Sequence, residues 1–325
     1  MANSSADWAR ALQEAFRDAG SLASHLDWPL PAAVESAYPV LVPRRLADRI
    51  KEAGPDSALA RQFLPHADEL APEGLADPIG DQKHAKTSQL VHRYGNRALL
   101  LPTTACPVNC RYCFRKNELQ DGTFGAAREE TLAYLRAHPE IEEVIFTGGD
   151  PLVLSDEKLD GWLTALAAIP HVRWVRFHTR VPVVLPERLN PELAALLKRH
   201  RAHFADLIMV VHTNHVMEWD PATRARVREF LPELTWLSQT VLLRGVNDTA
   251  IILEHLFRQL VADGVRPYYL HHPDDVRGGR HFCLSRQEGA ELYRELRQRL
   301  PGWALPQYVV ETPDGGGKEP AFQAP

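Results

Sequence analysis

The 325-residue sequence is poor in cysteine, with only four, and carries no long apolar run. Four cysteines are too few to staple a disulfide scaffold. No stretch approaches the roughly 18 uninterrupted apolar residues that a membrane helix needs. The opening residues, MANSSADWARALQEAF, lack a basic segment followed by an apolar core, so no secretory signal is expected. Excess positive charge is missing as well. With 37 Lys+Arg against 42 Asp+Glu the net charge is −5, which removes the footprint expected of a general nucleic-acid binder. There is no internal repeat and no low-complexity tract. These absences point to a reducing cytoplasmic compartment, no membrane or nucleic-acid partner, and a small molecule as ligand. What is present is ordinary for a globular protein: 45% hydrophobic and 24% charged residues. At roughly 150 residues per domain, the length allows two domains or one barrel with an appendage.

Residues 5 to about 66 carry helical periodicity. Trp8, Leu12 and Phe16 recur at helical spacing before Gly20, and RRLADRIKEAG ends in the same way. A polar, Pro/Gly-bearing stretch from 67 to 91 follows, so residues 1–90 are taken as a helical N-terminal region with its linker. Beyond it, short apolar runs alternate with helical patterns. The expected strands are Ala98–Leu101, Val144–Thr147, Val172–Phe177, Leu207–Val211, Leu237–Leu243 and Val265–Leu270, with a last run at Gln307–Val310. Repeated strand-helix units require a parallel sheet, because each crossover needs a helix to return the chain. The expected fold is α/β, a partial (β/α)6 barrel over residues 91–311 with a tail at 312–325. A doubly wound open sheet has the same periodicity.

Ligands of parallel α/β folds bind beyond the carboxyl ends of the strands. The segments there read TTACPVNCRYCFR, GGDP, HTR, HTNH, RGVND and HHPDD. The first holds three of the four cysteines, Cys106, Cys110 and Cys113, in the spacing C-x3-C-x2-C. Thiolates select soft metals, and three of them suit a four-iron cluster with one iron left open. A Cys3His zinc site and unliganded buried thiols are the other readings of the same residues.

This spacing directly after the first barrel strand resembles the radical S-adenosylmethionine superfamily. RYGNRALLLPTTACPVNCRYCFRKN, VIFTGGDPL, VPVVLPERL, QTVLLRGVND, RPYYLHHPDD and VVETPDGGGKEP together resemble the lysine 2,3-aminomutase family over about residues 85 to 320. The wording of AHPEIEEVIFTGGDPL and PYYLHHPDDVRGGRHF is most similar to the branch that makes (R)-β-lysine for modification of elongation factor P. The resemblance implies a radical SAM barrel, a [4Fe–4S] cluster on Cys106, Cys110 and Cys113, S-adenosylmethionine and pyridoxal 5′-phosphate. It also implies an isomerase acting on free lysine, an electron donor such as flavodoxin or ferredoxin, and a link to elongation factor P and its lysyl-transferring ligase.

By the same resemblance, Gly148, Gly149 and Asp150 line the methionyl end of S-adenosylmethionine, and His212 and Gln239 stand near that cofactor. A backbone that must approach a ligand closely favours glycine. Lys318, in the glycine-rich tail, matches the lysine that carries pyridoxal phosphate; without the match, PDGGGKEP reads as a frayed terminus, and it fails the phosphate-loop pattern. Arg93, Tyr94 and Arg97, expected just before the first strand, match contacts to the cofactor phosphate. Arg115 matches the arginine for the substrate α-carboxylate, and Asp274 and Glu311 the acids for the side-chain ammonium. An ammonium stabilises two acids that face one cavity, which favours lysine over glutamate. Glu311 departs from the aspartate of free-lysine enzymes, and His271 from their tyrosine. A zinc-binding C-terminal extension is not expected, and Cys283 has no assigned role.

Overall fold

The protein is described here from a computed structural model, which covers residues 4–118, 127–313 and 316–322. The N-terminal region folds as α1 (Ser4–Gln13), α2 (Ala19–Leu26), α3 (Arg44–Ala53) and α4 (Ala58–Phe63), followed by a short helix α5 (Asp81–His84). Gly20 does not end a helix. The first helix stops at Gln13, and Gly20 lies in the first turn of α2, whose N-terminus is capped by the Asp18 carboxylate accepting from the Ser21 N–H. The periodic apolar spacing therefore spans a break that a capping residue imposes.

Two strands that the polar stretch conceals come next: β1 (Ala85–Thr87) and β2 (Leu90–Tyr94). They pair antiparallel with each other and with β3 (Arg97–Thr103). The units that follow are α6 (Arg128–Ala137), β4 (Glu143–Gly148), α7 (Asp156–Ala167), β5 (Trp174–Thr179), α8 (Val181–Val184), α9 (Pro191–Arg201), β6 (Asp206–His212) and α10 (Pro221–Phe230). They continue with β7 (Thr235–Val241), α11 (Ala250–Ala262), β8 (Arg266–His271), α12 (Arg286–Arg299), β9 (Gln307–Val310) and β10 (Glu319–Pro320). The expected strands are all present. The third begins two residues later than expected, where Trp174 comes into register with Glu143 of β4, and the fifth ends two earlier, at Val241.

The sheet order is sequential from β1 to β10, with β3 to β9 parallel. A doubly wound sheet would reverse direction at a switch point. The monotonic order, with strand ends from β3 to β9 all lining one cavity, is that of a curled, partial barrel. Leu22, Ile50 and Phe63 of the N-terminal helices belong to the same buried apolar cluster as Phe146, Phe177, Met209 and Leu270 of the strands. The helices are thus packed onto the sheet through one contiguous core. Among the described residues, no helix is long and apolar enough to cross a membrane.

Candidate active site

The cysteine loop leaves β3 and is held from outside by the N-terminal region. The Asn109 N–H donates to Leu41 O (3.0 Å) and the Arg111 N–H to Gln62 O (2.8 Å). The Arg111 guanidinium grips Glu69 through contacts of 2.7 to 3.0 Å and also donates to the carbonyls of Tyr38 and Pro39. Lys116 Nζ reaches the same carboxylate at 2.8 Å. Buried charges are tolerated when hydrogen bonds satisfy them, as here. Burial and the neighbouring Cys110 push the Cys113 thiol up to about 11, and burial with Cys113 raises the Cys106 thiol well above its ordinary value. Three thiolates can share this pocket only with cationic partners.

Gly148 and Gly149 follow β4. Gly148 has a left-handed φ of +97°. At Gly149 an added Cβ would stand 2.6 Å from the Thr104 carbonyl carbon and closer still to Ala105 O. The glycine is thus required by the backbone of the cysteine loop itself, which the Gly149 N–H and Asp150 N–H bond at Thr103 O (2.9 Å) and Ala105 O (2.8 Å). The Asp150 carboxylate is 4% exposed and turns inward to β5, accepting from Thr179 Oγ1 and from the backbone N–H groups of Leu152, Arg180 and Val181. Its role in the fold is to lock the ends of β4 and β5 together.

Another part of the cavity wall is charged. Lys318 Nζ pairs with Glu311 Oε2 at 2.7 Å, and the Lys318 backbone N–H donates to Tyr94 Oη at 2.6 Å. Tyr94 in turn donates to Glu311 Oε1 (3.3 Å), and Arg97 stacks on its ring, 3.7 Å from the centroid. Gly317, at φ +125°, lies so close to the Tyr94 ring that a Cβ would collide with it. The tail thus packs on Tyr94 only because the residue before Lys318 has no side chain. Asp314 and Gly315 of the same tail lie outside the described residues. Arg93 and Tyr94 stand on β2, a strand that precedes the expected first one, and Arg97 is the first residue of β3 rather than lying before it. Arg93 is engaged by acids and a carbonyl: Glu311 (3.4 Å), Asp81 (3.5 Å) and Ile79 O.

Arg115 pairs with Asp81 at 2.5 Å. Burial, reinforced by Glu311, raises the Asp274 carboxyl to about 7. Burial also opposes ionisation of Glu311, but the Lys318 ammonium outweighs it and holds that carboxyl below its ordinary value. Burial, with Lys318 nearby, drives His271 down to about 3, so it is a neutral ring at physiological pH. His212 Nε2 lies 3.1 Å from Tyr112 Oη of the cysteine loop, and burial together with Arg180 keeps it neutral. Cys283 sits apart, donating through Sγ to Asp274 O at 3.5 Å.

Every side chain singled out from the sequence for cluster, cofactor or substrate lines this one cavity. The cavity adds residues that sequence reasoning passed over: Asp81, Tyr112, Arg176, His178, Arg180 and Tyr269. His178 and Arg180 belong to the strand-end segment HTR, so their position was visible. Asp81 lies in a polar stretch with no periodic signal, and nothing local marks it.

A profile of the radical SAM superfamily matches residues 100–210, from β3 into β6, and so includes the cysteine loop. This defines the class as radical SAM enzymes, for which a [4Fe–4S] cluster and S-adenosylmethionine are implied. The L-lysine 2,3-aminomutase of Escherichia coli (strain K12) is 40% identical over 295 residues, spanning 89% of this chain and 84% of that one. The L-lysine 2,3-aminomutase of Haemophilus influenzae is 35% identical over 315 residues, spanning 94% and 92%. Streptococcus suis SuiB bound to S-adenosylmethionine superposes with a TM-score of 0.48 at 12% identity, over 71% of this chain and 52% of that one. The chain belongs to the L-lysine 2,3-aminomutase family and is an isomerase.

Proposed function

We propose that the protein moves the amino group of L-lysine from C2 to C3, giving β-lysine, with a [4Fe–4S] cluster, S-adenosylmethionine and pyridoxal 5′-phosphate. The observation that carries this reading is one cavity lined both by the three cysteines and by Lys318, Glu311 and Asp274.

The residues suit these groups. Among the described residues no three His, Cys, Asp or Glu side chains converge as one ion would need, whereas a four-iron cluster takes each thiolate on a different iron. On the charged part of the wall, Arg93 Nε and His178 Nε2 are buried without a hydrogen-bond partner, which leaves polar capacity for a ligand. Cys106, Cys110 and Cys113 would hold the cluster, while Gly148, Gly149, Asp150, His212 and Gln239 border S-adenosylmethionine. Lys318 would carry pyridoxal phosphate, with Arg93, Tyr94 and Arg97 beside it. Bound, the cluster and S-adenosylmethionine supply a radical that takes hydrogen from an unactivated carbon. Pyridoxal phosphate supplies the π system over which a nitrogen migrates.

The chain's own residues bind and orient. Arg115 offers a planar fork to the substrate carboxylate. Asp274 and Glu311 receive the side-chain ammonium, which stabilises both acids as charged groups. The neutral rings of His271, His212 and His178 line the cavity without adding charge that would repel that ammonium. Lys318 sits on a glycine-flanked tail that lets its amine leave when substrate enters. Use of (R)-β-lysine on elongation factor P through its ligase, a flavodoxin or ferredoxin as electron donor, and a reducing cytoplasm belong to the same reading. The elongation-factor link is supported by the segment resemblances and by Glu311, a longer acid that this branch shares.

The test is anaerobic incubation of the reconstituted protein with dithionite, both small cofactors, and lysine, arginine or glutamate in parallel. Formation of β-lysine with 5′-deoxyadenosine from lysine alone is the expected result. Absence of both products, or turnover of another amino acid instead, would sink the proposal.

A further inference from the structure

The tail that carries Lys318 lies between two anchors. Before the lysine, Pro313 rests on Gly80, which has a left-handed φ of +73° and where a Cβ would meet Pro313 O at 2.5 Å. After the lysine, β10 pairs with β9 through Glu319 opposite Val310 and Pro320 opposite Val309. A strand of two exposed residues, one of them a proline without an N–H, does not hold itself in place. The residues beyond it do. The Ala321 N–H donates to Tyr308 O at 2.9 Å. The Phe322 ring meets the edge of the Tyr293 ring on α12, with centroids 5.3 Å apart, and Arg297 covers it at 5.2 Å from its centroid. Tyr293 is itself buried and fixed, donating to Pro306 O at 2.8 Å. Ala321 and Phe322 thus fasten the tail to the main apolar core.

This anchor decides where the amine stands. Lys318 immediately precedes β10, and its Nζ reaches Glu311 at 2.7 Å and lies 5.6 Å from the centroid of the Tyr269 ring. We propose that Phe322, on the outer face of α12 and away from the cavity, is the positioning residue for Lys318. The bond from Lys318 to the cofactor is a condensation. The amine nitrogen joins the aldehyde carbon, and the aldehyde oxygen leaves with both amine hydrogens as one water, so neither oxidant nor reductant is needed. An amine held beside the aldehyde forms this bond at high effective concentration, and one on a loose tail does not. This deepens the proposed function and rests on it, because it takes Lys318 as the cofactor lysine.

The side chains beside the cofactor phosphate in that reading keep their places without the anchor. Arg93 is engaged by Asp81 and the Ile79 carbonyl. Tyr94 accepts from the Lys318 N–H, but its pairing with Arg97 across the turn from β2 to β3 and the Arg97 guanidinium on its ring hold it independently.

The test uses the full chain, anaerobically reconstituted with iron, and two probes. Pyridoxal 5′-phosphate has an aldehyde that bonds to a lysine; pyridoxamine 5′-phosphate has the same ring and phosphate but no aldehyde. Equilibrium dialysis gives both affinities, and borohydride trapping with peptide mass spectrometry reports cofactor bonded to Lys318. In Phe322→Ala, pyridoxal phosphate should bind about tenfold more weakly, the scale of one lost aromatic contact, with less of it trapped on Lys318. Pyridoxamine phosphate should stay within about twofold of wild type, with iron content unchanged. A residue that merely supports the fold would weaken both probes together. Equal weakening of both, or of neither, overturns the role while leaving the aminomutase reading intact. Wild-type protein that traps no cofactor on Lys318 overturns that reading and this role with it. If Phe322→Ala fails to fold, Phe322→Leu carries the comparison, since it keeps an apolar side chain without the ring. Selective loss of pyridoxal phosphate supports the role, and parallel behaviour of the probes overturns it.

Discussion

Gly149→Ala should separate the cluster loop from the barrel. The added Cβ would stand 2.6 Å from the Thr104 carbonyl carbon and 2.8 Å from that of Ala105, with the Ala105 oxygen nearer still. All three neighbours are backbone, so no rotamer change relieves the contact. One chain must retreat by about half an ångström or more, an overpacking cost of about 1–3 kcal/mol. The retreat acts along the two hydrogen bonds that join these segments, Gly149 N–H to Thr103 O and Asp150 N–H to Ala105 O. Losing both adds about 1 kcal/mol each. A total of about 3–5 kcal/mol is a large part of the roughly 5–15 kcal/mol that holds a typical domain together. The strain falls on the residues just before Cys106. Iron per chain after anaerobic reconstitution and the urea midpoint by circular dichroism are the measurements, with Gly95→Ala as control. Gly95 sits in the turn between β2 and β3, where an added Cβ meets nothing within 4 Å. Its change should stay within about 0.5 kcal/mol. If Gly149→Ala retains wild-type iron content and midpoint, the close approach of GGD to the cysteine loop is not what holds that loop.

The other predictions follow from charges and from one helix. Burial, reinforced by Glu311, raises the Asp274 carboxyl to about 7, and an ammonium beside it favours the ionised form, so lysine binding should release its proton. Lysine affinity should therefore climb as pH rises through about 7; calorimetry in two buffers of different ionisation enthalpy would detect the released proton, and Asp274→Asn should remove that component. Glu69→Gln weakens the grip on Arg111 and Lys116 and leaves both cations buried without their carboxylate. It should cost about 3–5 kcal/mol, lowering both the urea midpoint and iron retention, and wild-type values for both would refute the clamp. Gly161→Ala, in the middle of α7 with only the Arg128 guanidinium 3.7 Å from the new Cβ, should raise stability by about 0.5–1 kcal/mol. A lower thermal midpoint would contradict it.

Legibility differed sharply between the two parts of the cavity. Cys106, Cys110 and Cys113 stand within one loop, so spacing alone displays their chemistry. Lys318 and Tyr94, joined by a backbone hydrogen bond, are 224 positions apart, and only the family resemblance brought them onto one list. Arg93 shows what such a match leaves out: the fold also sets it against Glu311, Asp81 and the Ile79 carbonyl. The strand β1 was concealed because it is mostly polar and exposed, and β2 because its two buried apolar residues, Leu90 and Val91, stand side by side before three polar ones, so neither strand carries apolar alternation.

By itself the sequence determined what depends on neighbours in the chain: alternating strands and helices, the cysteine loop placed after a strand, and the glycines flanking Lys318. Tertiary structure alone decided how charges pair. Pairing requires the sheet to curl so that the ends of β3 to β9 face one cavity. Only then does Asp81 stand between Arg115 and Arg93, and only then does Glu69 reach across from the N-terminal region to hold the cysteine loop. Electrostatic energy falls with distance and with water. Which acid serves which cation is therefore fixed by burial and proximity, and neither is written in local spacing.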